Sequence, residues 1–346
     1  MLSSTSNSDR RIPAAPYARM WILAACLLFV SVAASEWVWR ERGFAANVID
    51  TPALWSVHRG RVYAGGDRRP IVLVGSSRAQ QGVDPQVLSE ALGGTNVVSL
   101  CLAGAKPWVV IEDLCADEEF DGIVVVSTVI PMLTPSTDGG ASRRVELFQR
   151  DFRRPTTAID RRLHAIISAE LQSRLAVLSH PVSLRELIST HFKPQPMHNQ
   201  MRANRHRPGH YRSRLTSVEL GKLERKWVEN LHKQVADGVD QETFATTVGA
   251  PLKALHDQLR ARGGRMVLVR MPTSGRLWAE SEALAPKAMY WDRLEALTGI
   301  PTIHFRDYGD LASFDCPDGS HVDASDAPIL TRRLAKRIRG KLALPD

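Results

Sequence analysis

Arg69-Pro70-Ile71-Val72-Leu73-Val74-Gly75-Ser76-Ser77-Arg78 is the stretch on which the fold turns. Residues 71–74 are an unbroken apolar run, mostly β-branched, as expected of a strand buried on both faces in a parallel sheet. Downstream, Asp84-Pro85 offers an N-cap with proline at the first helical position, predicting a helix to about Leu92 that Gly93-Gly94 stops. Residues 96–102 read as a second strand, 106–116 as a helix and 122–127 as a third strand. This alternation predicts right-handed crossovers and a parallel sheet with helices on both faces.

The rhythm stops at Pro131. From there to about Gln241 the chain is polar, basic and mostly helical, with helical periodicity over 163–178 and 217–235 and a Pro-, Arg- and His-rich loop over 193–214. The sheet pattern then resumes with a helix over 250–262, a strand over 266–271, a helix over 285–297, a strand over 302–305 and a closing basic helix over 327–342. The expected architecture is α/β: a three-layer α/β/α domain over 67–346 around a five-stranded parallel sheet (flavodoxin-like), with a helical insertion after the third strand at about 132–249.

Ahead of this domain, residues 1–19 are polar and basic, and an apolar run then starts at Met20 and ends in Trp37-Val38-Trp39. Residues 20–39 are long enough to cross a bilayer as a helix, with the tryptophans as an interfacial belt. Positive charge before the span predicts a cytoplasmic N-terminus and an exported bulk. A cleaved signal peptide competes, because Ser31-Val32-Ala33 are small residues where a peptidase would cut. The tryptophans that continue the run favour an uncleaved anchor. Residues 40–66 follow as a juxtamembrane stalk placed to cap the domain.

The net charge of +8 is concentrated: between Ala141 and Arg214, 15 Lys/Arg face 5 Asp/Glu. Such a block binds nucleic acid, anionic lipid or an acidic polymer, or is simply a solvated helical surface; export removes nucleic acid. Cys26, Cys101, Cys115 and Cys316 show no metal-ligand spacing, so no metal site is expected. The last three either include one disulfide pair or are small buried residues. No P-loop, dinucleotide glycine fingerprint or acidic cluster is present, and no cofactor is expected.

In an open parallel sheet, functional groups gather at the carboxyl ends of the strands. Ser76 and Ser77 lie just past the first strand, where a following helix aims backbone N–H groups outward and can bind a developing oxyanion. A plain turn into a helix has the same sequence. His321 lies ahead of the last helix in Asp315-Cys316-Pro317-Asp318-Gly319-Ser320-His321. As a general base it needs its other ring nitrogen oriented by a carboxylate. Asp318 can fold back to do this, with Asp315 and Asp323 as rivals. Arg78 beside Ser77, and Arg270 at the end of the fourth strand, are the substrate-binding candidates; pairing with an acid is the competing role for Arg270. His304 reads as a core histidine, and Trp278 and Trp291 as helix packing.

Together these residues resemble the SGNH/GDSL hydrolase-like superfamily. Gly75-Ser76-Ser77-Arg78 is similar to its Gly-Asp-Ser block, with Ser77 matching the nucleophile and Ser76 in the aspartate's place. Asp318 and His321 are similar to its last block, which carries acid and base. Gly104, after the second strand, falls where the family places an oxyanion-hole glycine. The family's third block, Gly-x-Asn-Asp, is missing its asparagine: here the third strand leads into Ser127-Thr128-Val129-Ile130. The oxyanion hole expected from the resemblance is therefore Ser77, Gly104 and Thr128, with Ser127 as the other substitute donor. Loss of one such donor typically costs about 10²–10³ in turnover.

The resemblance covers 71–128 and 264–342. It implies a membrane-anchored esterase or O-acyltransferase, acetyl being the expected group, on a cell-envelope or exported polysaccharide. It also implies a single-pass protein of the bacterial inner membrane with a periplasmic bulk, and envelope-assembly proteins as possible partners. The alternative is a glycan-binding or scaffold protein that keeps the fold without the chemistry, as the missing asparagine suggests.

Overall fold

The apolar run after Pro70 forms β1 (Ile71–Gly75), inside a five-stranded parallel sheet of order β2-β1-β3-β4-β5. The computed structural model describes residues 17–64, 68–135, 140–153, 159–236 and 240–345. The other strands are β2 (Val97–Ser99), β3 (Ile123–Ser127), β4 (Arg265–Arg270) and β5 (Thr302–His304). All of β1 and β3 is buried, which is why neither alternates apolar with polar residues. β2 is shorter than expected, yet its pairing continues: Leu100 N–H donates to Leu73 O at 2.9 Å and Leu102 N–H to Gly75 O at 3.0 Å.

Helices surround this sheet. α1 (Tyr17–Glu41) and α2 (Pro52–Gly60) precede it, α3 (Ser77–Gly82) and α4 (Pro85–Ala91) follow β1, and α5 (Trp108–Ala116) follows β2. Between β3 and β4 come α6 (Gly140–Phe152), α7 (Ile159–Arg174), α8 (Leu184–Ser189), α9 (Tyr211–Arg214), α10 (Ser217–Ala236) and α11 (Ala250–Ala261). α12 (Gly275–Leu284) and α13 (Trp291–Thr298) link β4 to β5, and α14 (Gly309–Ala312) and α15 (Ala327–Leu342) close the chain. Val72 and Val74 pack with Trp108, Ile111 and Leu252, whereas Ile71 and Leu73 pack with Leu88, Leu330 and Ile338. Successive strand residues point to opposite faces, so each face of β1 has its own apolar cluster.

Of residues 285–297, expected as one helix, only 291–297 lie in α13, preceded by a single 3-10 turn over Lys287–Met289. α12 ends before Ala285, whose φ −142°, ψ 75° is not helical, because Pro286 lacks an N–H and disfavours helix at the residue before it. Residues 40–64 of the expected stalk are folded onto the domain; 65 and 66 lie outside the described residues. Thr51 caps α2, Trp55 has no exposed surface, and Arg59 pairs with Asp113 at 2.9 Å and Asp117 at 2.6 Å. α1 is long and apolar enough to cross a membrane and has no buried residue.

Cys101, Cys115 and Cys316 are buried and unpaired. Much of the basic block is engaged internally: Arg205 pairs with Asp50, Arg202 with Asp84, Arg153 with Asp113 and Arg212 with Asp326. Arg214 donates to the carbonyls of Gly43 and Met197. These arginines tie the loops between β3 and β4 to the rest of the molecule instead of forming a free cationic surface.

Candidate active site

β1 ends at Gly75 and the chain turns at Ser76, making Ser77 the first residue of α3. Gly75 sits where two strand ends close up: a Cβ there would lie 2.8 Å from Ser127 O and 3.0 Å from Ser127 Cβ. Ser76 and Ser77 line a cavity of about 190 Å³. It stands over β1, beyond which the chain order reverses, β2 lying to one side and β3 to the other.

The loop between α14 and α15 brings the second half of the site. Asp318 opens a tight turn that passes through Gly319 at φ +78°. Its Oδ1 accepts the N–H groups of Ser320 at 2.9 Å and His321 at 2.8 Å. Its Oδ2 accepts His321 Nδ1–H at 2.8 Å and the Trp227 indole N–H at 2.8 Å. His321 Nε2 then lies 2.8 Å from Ser77 Oγ. A carboxylate only accepts, so Nδ1 carries the proton and Nε2 is left to accept from the serine. Burial pushes the Asp318 carboxyl up, but the His321 ring, its hydrogen bond and the two backbone N–H groups outweigh this and hold it at about 2.

The rival carboxylates are occupied elsewhere. Asp315 accepts from Ser274 Oγ, and Asp323 from the Arg212 N–H and from Ser325. Gly104 lines the cavity, at φ +73° with open space beside its Cα. Thr128 does not reach it: its hydroxyl donates to Val129 O at 3.2 Å and its N–H to Val269 O at 3.0 Å. The bend after β3 directs Val129, an apolar residue, to the cavity wall instead.

Arg78 and Arg270 both line the cavity. Arg270 is 5% exposed and donates, at 3.3 Å each, to Met271 O, Thr273 Oγ1 and Ser281 Oγ. Burial lowers its guanidinium to about 9, and the Arg78 charge adds to the shift. Burial lowers Arg78 as well. His304 is a core residue, stacked on Phe305 and edge-on to Trp278 and Trp291.

Several site residues escaped the sequence reading. Tyr211 stacks on the His321 ring, with centroids 5.8 Å apart and planes 9° apart, and Trp227 meets it edge-on at 5.4 Å. Asn230 and Gln234 from α10 complete the wall. The helical periodicity over 217–235 marked Trp227 as one residue of an amphipathic helix, and it did not indicate which loop that helix would cover. Among the described residues, no group of three or more His, Cys, Asp or Glu could hold a metal ion. No protein-family model and no curated protein matches this chain.

Proposed function

We propose that this chain is a membrane-anchored serine esterase or O-acyltransferase of SGNH/GDSL hydrolase-like type, acting on acyl esters, acetyl foremost, of a cell-envelope or exported polysaccharide. On this reading the fold is a flavodoxin-like three-layer α/β/α domain, with 132–249 as a helical insertion. α1 crosses the bacterial inner membrane once, and the bulk stands in the periplasm beside other envelope-assembly proteins. The observation that carries the proposal is the continuous relay from Asp318 through His321 to Ser77, with both links at 2.8 Å.

The chemistry follows from the relay. His321 Nε2 takes the Ser77 proton as Oγ attacks the ester carbonyl, and Asp318 stabilises the imidazolium that forms. The Ser77 and Gly104 N–H groups are the donors offered to the oxyanion. Collapse breaks the C–O bond, the leaving alkoxide takes the proton from His321, and acyl-Ser77 remains. Water or a sugar hydroxyl then gives its proton to His321 and attacks the acyl carbon; collapse breaks the acyl–Oγ bond, and Ser77 Oγ takes the proton back from His321. The cavity of about 190 Å³ is smaller than the roughly 300–1,000 Å³ of sites for drug-sized ligands, which suits a short acyl group.

The test is hydrolysis of an aryl acetate by the purified full chain in detergent. Ser77→Ala should abolish turnover, and equal rates for variant and wild type would sink the proposal. A second reading, a glycan-binding protein without turnover, is favoured by the Thr128 hydroxyl being bonded to Val129 O and so lost to the oxyanion.

A further inference from the structure

Arg78 and Arg270 are two cations brought to the cavity beside Ser77, and neither has a carboxylate within 4.0 Å among the described residues. Arg78 Nε is buried without a hydrogen-bond partner, while Arg270 is held by three long bonds to neutral oxygens. Two carboxylates act on the pair without touching it: Glu282 on Arg270, while accepting from the Lys287 N–H, and Asp318 on Arg78, with both its oxygens already engaged by Ser320, His321 and Trp227. A guanidinium drawn out of water with no carboxylate in contact is costly, and two like charges side by side cost more. Folded proteins retain such pairs where a ligand supplies the missing charge. We propose that Arg78 and Arg270 form a recess for an oxyanion carried by the substrate, a carboxylate or phosphate placed next to the ester that Ser77 attacks. This deepens the acyl-transfer reading and rests on it for the word substrate, but the binding itself can be read without turnover.

The experiment therefore uses Ser77→Ala protein and thermal melting in the presence of succinate or inorganic phosphate. One of the two is expected to raise Tm by a few degrees, identifying the class of oxyanion, and Arg270→Met in the same background should remove the rise. Arg270→Met alone should melt at or above the wild-type temperature, because an apolar side chain replaces a buried charge that lacks a partner. A structural arginine would behave in the opposite way. No rise with either anion, a rise that persists in both Arg270→Met and Arg78→Met, or a lowered Tm for Arg270→Met would each overturn the recess.

A different surface carries a second inference. α7 exposes Ile159, Leu163, Ile166, Ile167 and Leu171, a stripe at helical spacing on its outer side, and buries only Ala165 and Ala169. α8 repeats the pattern with Leu184 and Ile188, and Phe192 beyond it is 70% exposed at a strained φ of +61°. An apolar face of this kind is unusual on a surface bathed only by water. The C-terminal end of α1 is fixed beside it. The Glu36 carboxylate accepts the N–H groups of Ala176 and Val177 at 2.9 Å each, and Arg40 donates to Arg174 O at 2.8 Å. Arg162 on α7, Arg185 on α8 and Lys193 just beyond it are exposed, with no ion pair among the described residues. Apolar side chains mixed with free cations, next to a helix able to span a bilayer, match the chemistry of an anionic lipid surface.

We infer that the α7–α8 face lies in the headgroup layer of the membrane that α1 enters, so that the domain is seated on the bilayer rather than tethered above it. The test is full-length Cys26→Ser protein in vesicles containing anionic lipid, with a spin label at Ile188→Cys or Phe192→Cys and a control label at Lys253→Cys on α11. The first two should be protected from an aqueous relaxing agent and accessible to oxygen, unlike the control. Equal aqueous exposure at all three positions would refute the seating. Disulfide-linked dimers through Ile188→Cys would refute it in favour of a second copy of the chain.

Discussion

Asp318 accepts four hydrogen bonds, two at each oxygen, so both of its oxygens are engaged and its orientation is fixed. An asparagine there keeps one acceptor oxygen for the two backbone N–H groups and turns an NH₂ toward His321 and Trp227, both donors. His321 must then switch tautomer to accept at Nδ1, which puts the proton on Nε2 and removes the base. Asp318→Asn is expected to fold and to lose about 10⁴ in kcat on an aryl acetate, with little change in KM. Circular dichroism and steady-state kinetics on the same preparation check this, and a loss below tenfold would remove Asp318 from the relay. Ser77, His321 and Asp318 were legible in the sequence because each sits in a short motif set by local backbone geometry. Tyr211 and Trp227 were not, because they reach His321 from elements far away in the chain, and packing rather than local pattern brings them there. Thr128 was misplaced for a related reason: adjacency to β3 fixes its height in the sheet, but not which way its hydroxyl points.

At the scale of elements, β1 and β3 are the most readable parts, because burial on both faces leaves each an unbroken apolar run of four residues. α15 was read with its observed bounds, since Pro328 marks its first turn and its buried positions recur at helical spacing. Local pattern says least about the break at Pro286 and about the short helix α2. A proline inside an apolar pattern outranks the pattern, and a short helix is stabilised by what it packs on rather than by propensity. Trp55 measures the second point. It is fully buried in the cluster with Val72, Val74 and Trp108, and its indole donates to Leu100 O at 3.3 Å. Trp55→Ala should cost about 3–5 kcal/mol in urea denaturation, and a cost near zero would mean that α2 is a detachable stalk. Gly75→Ala tests the opposite fault, crowding. The added methyl meets the Ser127 carbonyl at 2.8 Å, so β1 and β3 must part at the end that positions Ser77. A loss of about 1–3 kcal/mol is expected, accompanied by a fall in turnover.

Across the whole molecule, acid stability is set by ionisable groups far apart in the fold. Burial lowers His58 to about 3, with the Arg205 charge adding to the shift, and burial lowers His304 to about 3, with Arg270 adding. Both rings are neutral in the folded chain: His58 Nε2 lies 3.0 Å from Ala203 O, and His304 Nδ1 accepts the Arg306 N–H at 3.1 Å. The unfolded chain protonates each at about 6.5, so their contribution is complete above that pH and is lost as pH falls toward about 3. Asp84 and Asp318 act lower down. Burial raises both, but His206 beside Asp84 and His321 beside Asp318 hold them at about 2, so their stabilisation is present above about 3.8 and lost as pH falls through about 2. In all four cases the unfolded state binds more protons, so stability declines continuously from near neutrality with no plateau at mild acid. Each titrating group adds up to about 1.4 kcal/mol per pH unit inside its window. Urea midpoints measured across that range should show the two limbs. His58→Gln, whose amide can still donate to Ala203 O, should flatten the upper limb and leave the lower one in place. An unchanged upper limb would mean that the proton uptake driving acid unfolding lies elsewhere than in the packing of α2 against the Arg205 loop.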